Sequence, residues 1–274
     1  MSFLSFFPYE LAPWQWAALI FSCLCFGISK TGINGISAVA VPLFALVFGA
    51  KESTGVVLPL LCFADLLAVL YYRRHAEWKY IIRLVPWALA GFALALLVDH
   101  FITSNRGFKI LIGICILLGL VVMFWNDRRG KARDAGGGSN TPGENAAAPE
   151  TPESTASAWW FTALFGVLGG FSTMIGNAAG PIMSVFLLSV RLPKKSFVGT
   201  AAWFFLIINY LKLPLQFFAW HNISVQSLLF DLSMVPALII GALAGVVFVK
   251  KVSEAHYRIA VYALTILASL LLFL

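Results

Sequence analysis

Apolar runs of membrane-crossing length follow one another along almost the whole chain, and they limit its folding more than any other feature. Ten can be read, at roughly 12–29, 33–49, 53–72, 81–98, 107–126, 158–175, 178–190, 196–212, 229–249 and 256–274. A full helical crossing takes about 20 residues, and lipid offers no water to unpaired backbone groups, so runs of this kind become helices. Only 11% of the 274 residues are charged and 60% are hydrophobic, against about 25% charged in a soluble domain. The chain therefore reads as an all-α polytopic membrane protein. Its net charge of +7 does not point to nucleic acid. The basic residues sit in short loops between apolar runs, where the positive-inside rule places them. Trp14, Trp16, Trp78, Trp125, Trp159, Trp160 and Trp220 lie near segment ends, as interfacial belts require. The first charged residue of the chain is Glu10 and no basic region precedes the first apolar run, so no cleaved signal peptide is expected.

Segments one, two, six and seven are short or interrupted. Gly27–Pro42 (GISKTGINGISAVAVP) has a counterpart in Gly166–Pro181 (GVLGGFSTMIGNAAGP). Both passages are rich in Gly, Ser, Thr and Asn, and both end in proline. Interrupted backbone at membrane depth is tolerated only where protein buries it or where it lines a cavity. Paired interruptions in two halves point to a transporter's binding site. They are expected to be broken or re-entrant helices.

The two halves match further. Gly55 and Asp65 correspond to Gly199 and Asn209, and Pro86 and Gly91 to Pro236 and Gly241. Three matches in one order predict an internal duplication. Residues 1–126 form the first transmembrane repeat and 158–274 the second. Residues 127–157 begin basic (Arg128, Arg129, Lys131, Arg133) and turn into a Gly/Ala/Pro/Glu/Thr stretch, expected to be a disordered linker. Ten crossings with both termini outside put every basic cluster inside: Arg73/Arg74/Lys79/Arg83, the linker cluster, Arg191/Lys194/Lys195 and Lys250/Lys251/Arg258. Five crossings per half is an odd number, so the second repeat is inverted relative to the first.

Candidate chemistry concentrates in the interrupted passages. Lys30 is a cation between Ser29 and Thr31, and a charge at bilayer depth costs on the order of 3 kcal/mol. It is either a positive charge facing an anionic substrate or an end residue reaching for the interface. Thr31, Gly32, Asn34, Gly35 and Ser37 in the first half, with Ser172, Thr173, Gly176 and Asn177 in the second, offer hydroxyls, amides and free backbone N–H groups to an anion. Close helix packing through small residues is the plainer alternative. Asp65 and Asn209 form a polar pair in segments three and eight. Asp65 could carry a coupling proton, or be structural through an ion pair with Lys30 or Lys212. Lys212 beside Pro214 reads as an end anchor more than as a ligand, and Asp231 as interfacial. Cys23, Cys25, Cys62 and Cys115 lie in apolar runs, and His75, His100, His221 and His256 in loops. None has metal-ligand spacing, so no metal or cofactor is expected. No enzyme motif is present.

These residues resemble the TauE/SafE family of sulfite exporters and sulfonate permeases. The resemblance rests on Gly27-Ile-Ser-Lys-Thr-Gly32 through Pro42-Leu43, Gly55, Tyr71-Tyr-Arg-Arg74, Gly169-Gly-Phe-Ser172 through Gly180-Pro181, Gly199-Thr200 and Asn209-Tyr-Leu-Lys-Leu-Pro214. It covers nearly the whole chain apart from 127–157. One departure is Lys30-Thr31, in a region where the family commonly has paired glycines. The resemblance implies a secondary transporter in the bacterial cytoplasmic (inner) membrane, carrying sulfite, an organosulfonate or a related sulfur-containing anion by alternating access. Its expected partners are that small anion and the lipid bilayer, with room for a coupling proton or cation and for a homo-oligomer. An anion channel is the first alternative. An integral-membrane enzyme acting on a lipid-linked anion is a weaker one.

Overall fold

The computed structural model describes residues 9, 11–49, 52–101 and 159–271. Nine helices lie among them: α1 (Pro13–Thr31), α2 (Ser37–Phe48), α3 (Glu52–Tyr72), α4 (Trp78–Phe101), α5 (Trp159–Gly176), α6 (Ala179–Ser189), α7 (Lys194–Pro214), α8 (Val225–Lys251) and α9 (Glu254–Leu271). They fall on nine of the ten expected segments, and the described residues contain no strand. The expected segment at 107–126, the linker 127–157 and Cys115 lie outside the described residues. Among the described residues five helices are long and apolar enough to cross a membrane: α3, α4, α5, α7 with its continuation to Ala219, and α8.

The helix ends follow from local chemistry. Pro13 opens α1 with its ring already at a helical φ, and the Ala12 N–H donates to Gln15 Oε1 at 2.8 Å. Ser224 Oγ caps α8 by accepting from the Ser227 N–H at 3.1 Å. α2 and α6 have 12 and 11 residues. At 1.5 Å per residue they extend about 18 and 16 Å, well short of a bilayer's roughly 30 Å hydrocarbon core. Each follows a sharp break that uses a left-handed residue, Gly35 (φ 114°) before α2 and Asn177 (φ 52°) before α6. α1 and α2 form a hairpin, with the Phe26 and Phe44 rings 5.5 Å apart.

The pairing of the halves is reciprocal. α1 of the first half lies against α8, and α5, the first helix of the second half, lies against α4. In both pairs the contacts advance together. Leu24 meets Gly241 and Gly32 meets Gly245, while Gly166 meets Leu84–Trp87 and Gly91 meets Val167–Phe171. Both pairs therefore run parallel. Their axes approach so closely that a Cβ on Gly27 would lie 2.2 Å from Leu238 O, and one on Gly170 2.0 Å from Ala88 O. α3 and α7 cross the centre antiparallel, with Thr54 near Gln216 at one end and Tyr72 near Gly199 at the other. Gly55 is pressed against the segment after α7 at Asn222, and Gly199 against the segment after α3 at His75.

The outer faces are apolar. Ile82, Leu89, Leu94 and Leu97 of α4, and Leu232, Ile240, Leu243 and Val247 of α8, are exposed as lipid-facing side chains would be. Trp14, Trp78, Trp159 and Trp160 are exposed at the starts of α1, α4 and α5. The three described basic clusters gather at one end. The Lys194 N–H donates to Glu254, Arg258 donates to the Arg191 carbonyl, and Lys250 lies over the Tyr71 ring.

Candidate functional site

Helix ends leave backbone groups without partners, and the two breaks show where these go. At the end of α1 the carbonyls of Thr31 and Gly32 accept from the Tyr72 and Tyr257 hydroxyls, both at 3.1 Å. Thr31 Oγ1 donates across to Ala242 O of α8 at 2.6 Å. The carbonyl side of the first break is thus tied to α3, α8 and α9. The N-termini of α2 and α6 come close to each other, with a Cβ on Gly180 reaching 3.4 Å from Ser37 Oγ. Ser37 and Gly180, in the first turns of these helices, border a small buried cavity between the halves, so the positive dipole ends lie beside it.

Lys30, Asn34, Ser37, Thr173, Asn177 and Asn209 line this cavity. It therefore gathers polar residues of both interrupted passages, which lie more than a hundred residues apart in sequence. The apolar part of its wall comes from Leu61 and Phe205. Asn34 Nδ2 is buried and has no hydrogen-bond partner among the described residues. That leaves a donor available on the cavity wall.

The charges beside the cavity are unevenly compensated. Lys30 Nζ pairs with Asp65 Oδ1 at 2.8 Å and lies 4.0 Å from the centre of the Phe205 ring. The other carboxylate oxygen, Asp65 Oδ2, accepts from Asn209 Nδ2 at 2.6 Å. Asp65 is wholly buried and Lys30 is 8% exposed. Lys212 is also wholly buried, yet it pairs with no carboxylate among the described residues. Its ammonium donates to the Thr173 carbonyl at 2.6 Å and to Asn177 Oδ1. Asn177 Nδ2 in turn donates to Thr54 O at 3.1 Å, and Gln216 Nε2 donates to Thr54 Oγ1 at 3.2 Å. Beside the cavity two buried lysines stand against one aspartate, which with all three ionised is one net positive charge. A low-dielectric interior penalises an unpaired charge heavily, so the arrangement suits an anionic guest.

Other expected site residues take different places. Thr31 and Gly32 face α8 and α9, and Gly35 faces Leu264 of α9. Ser172 is buried with its hydroxyl unpartnered among the described residues, and Gly176 has open space around its Cα. Asp65 sits behind Lys30, off the cavity wall. Two expectations fail. Lys212 is no end anchor, because its helix does not stop at Pro214. A π-helical turn, Leu215–Ala219, carries the span onward past the proline. Asp231 is not interfacial but buried, and neither carboxylate oxygen has a partner among the described residues. The signal that could have identified Lys212 is the one that singled out Lys30, a cation inside an apolar run. No cluster of His, Cys, Asp or Glu among the described residues could hold a metal ion.

Neither curated proteins nor solved structures provide a match to this chain. The family model described as sulfite exporter TauE/SafE matches residues 19–272, both interrupted passages and the intervening segment included. The chain is a multi-pass membrane protein and belongs to the sulfite exporter TauE/SafE family of membrane transporters.

Proposed function

We propose that this chain is a secondary transporter of a small sulfur-containing anion, sulfite, an organosulfonate or a close relative, which binds in the cavity between the two interrupted passages. The observation that carries the reading is the set of buried charges beside the cavity, Lys30 and Lys212 against Asp65, next to a wall formed by Asn34, Ser37, Thr173 and Asn177. Lys30 and Lys212 would hold the anion's charge, and the carboxamides, hydroxyls and helix N-termini its oxygens.

Access would alternate by rocking of two inverted five-segment repeats, 1–126 and 158–274, joined by a cytoplasmic linker. The parallel pairing of α1 with α8 and of α5 with α4 supports inversion. Three tight connections separate α1 from α4, so these two run in opposite directions. Repeats of equal orientation would make α1 and α8 antiparallel. Asp65 and Asn209, the matched pair, touch each other, as residues on a pseudo-twofold axis must. Bunching of the basic clusters at one end supports a cytoplasmic end there and external termini.

The direct test is thermal unfolding of the purified full-length protein with sulfite, thiosulfate, methanesulfonate and, for contrast, choline. The sulfur anions are expected to raise Tm by roughly 5–10 °C near 100 Kd, and choline not to. No shift with any sulfur anion would contradict the substrate class.

A further inference from the structure

The two lysines are not equivalent, and their inequality bears on which ionic form of an anion can enter. Lys30 already has a counter-charge, since Asp65 Oδ1 lies 2.8 Å from its ammonium. Among the described residues the acceptors of Lys212 are neutral, Thr173 O and Asn177 Oδ1. The two ammonium groups are within electrostatic range of each other. Asp65 is completely buried, and its second oxygen is held by Asn209 at 2.6 Å. With Asp65 ionised the site carries +1, and a singly charged anion neutralises it. A doubly charged anion would leave the buried site at −1, a state that low dielectric disfavours. One proton on Asp65 removes that excess.

Resting on the anion-transport reading above, we propose that Lys212 is the standing positive charge, while Lys30 is held in reserve by Asp65 and turns to the anion when Asp65 Oδ1 takes a proton. A divalent anion then enters together with one proton, and a monovalent anion enters without one. The exchange breaks the contact of Lys30 Nζ with Asp65 Oδ1 and makes one from Lys30 Nζ to an anion oxygen. The proton comes from solvent and remains on the carboxyl, with no covalent change elsewhere.

The surroundings of Asp65 leave few other places for that proton. α1 presents Lys30 and α7 presents Asn209, while Lys212 of α7 is within range of Cys62. On its own helix Cys62 is the nearby titratable group. α2 contains no titratable residue. On α8, Asp231 is within range of Cys23 on α1, and Lys250 and Lys251 lie at the far, exposed end. Asn209 can donate to either form of the carboxyl, so it holds the side chain in place while its charge changes.

The test is calorimetric titration of the purified protein near pH 7 in two buffers of different ionisation enthalpy. Thiosulfate serves as the divalent probe and methanesulfonate as the monovalent one, since neither takes up a proton there. The expected result is one proton taken up per thiosulfate bound and none per methanesulfonate. In Asp65→Asn, thiosulfate binding is expected to persist with no proton uptake. Thiosulfate binding without proton uptake by the unmodified protein would overturn the exchange and leave anion binding standing. A proton taken up with methanesulfonate, or retained in Asp65→Asn, would place the titrating group elsewhere, Lys212 included, and also overturn it. Absence of binding by both anions would remove the anion-transport reading itself, and the exchange with it.

Discussion

At the residue scale, the chain's most informative feature is the buried polar set at the crossing of α3 with α1 and α7. Lys30 and Asp65 compensate each other, and Asn209 completes the carboxylate. Breaking such a pair costs more than replacing it whole, because the survivor stays buried with its charge. Lys30→Met is therefore expected to destabilise the protein by about 3–5 kcal/mol. Lys30→Met combined with Asp65→Leu is expected to recover most of that loss. Unfolding of the purified variants in detergent provides the measurement, and additive losses would argue against the pair. The sequence made Lys30, Asp65 and Asn209 visible, because charge and amide inside apolar runs call for a reason. It also raised the Lys30–Asp65 pair as one of two possibilities. It misplaced Lys212 because Pro214 looked like a helix end. The π-helical turn after it buries the following Gln216 as well.

At the element scale, the interrupted passages and the matched glycines have separate jobs. The breaks end α1 and α5 and begin two short helices, and their polar residues line one cavity. The glycines instead set how closely the long helices lie. Gly27 and Gly241 join α1 to α8, while Gly91, Gly166 and Gly170 join α4 to α5. From the sequence these two roles could not be separated, since composition alone does not say which face a glycine occupies. Contact fixes it: a Cβ at Gly170 would come 2.0 Å from the Ala88 carbonyl oxygen, and at Gly176 would meet nothing within 4 Å. Gly170→Val is accordingly expected to lower Tm by several degrees or abolish folding, and Gly176→Ala to leave Tm within about 2 °C. Equal sensitivity at the two positions, read by thermal unfolding, would contradict the assignment. The helices themselves were legible from their apolar runs, with boundaries mostly shifted by a few residues. The expected segment at 107–126 lies outside the described residues.

At the scale of the whole molecule, reciprocal packing brings residues of both interrupted passages to one cavity. The first helix of each half rests on the fourth of the other, and α3 crosses α7 at Asp65 and Asn209. The chemistry is less symmetric than the packing. Lys30 enters from a first helix, whereas its counterpart in the second half is Gly169. Lys212 enters from α7, whereas its counterpart in α3 is Ala68. Each half thus contributes one ammonium, but from a different element. A rocking motion would keep both near the anion while exposing the cavity to one side and then the other. The central claim is that this cavity carries the anion. Uptake of radiolabelled sulfite into liposomes containing the full-length protein tests it most directly, with Lys212→Gln compared against the unmodified chain. Uptake is predicted to saturate with sulfite concentration and to fall about tenfold or more in Lys212→Gln. Unchanged uptake in that variant, or flux that rises without saturation, would contradict it.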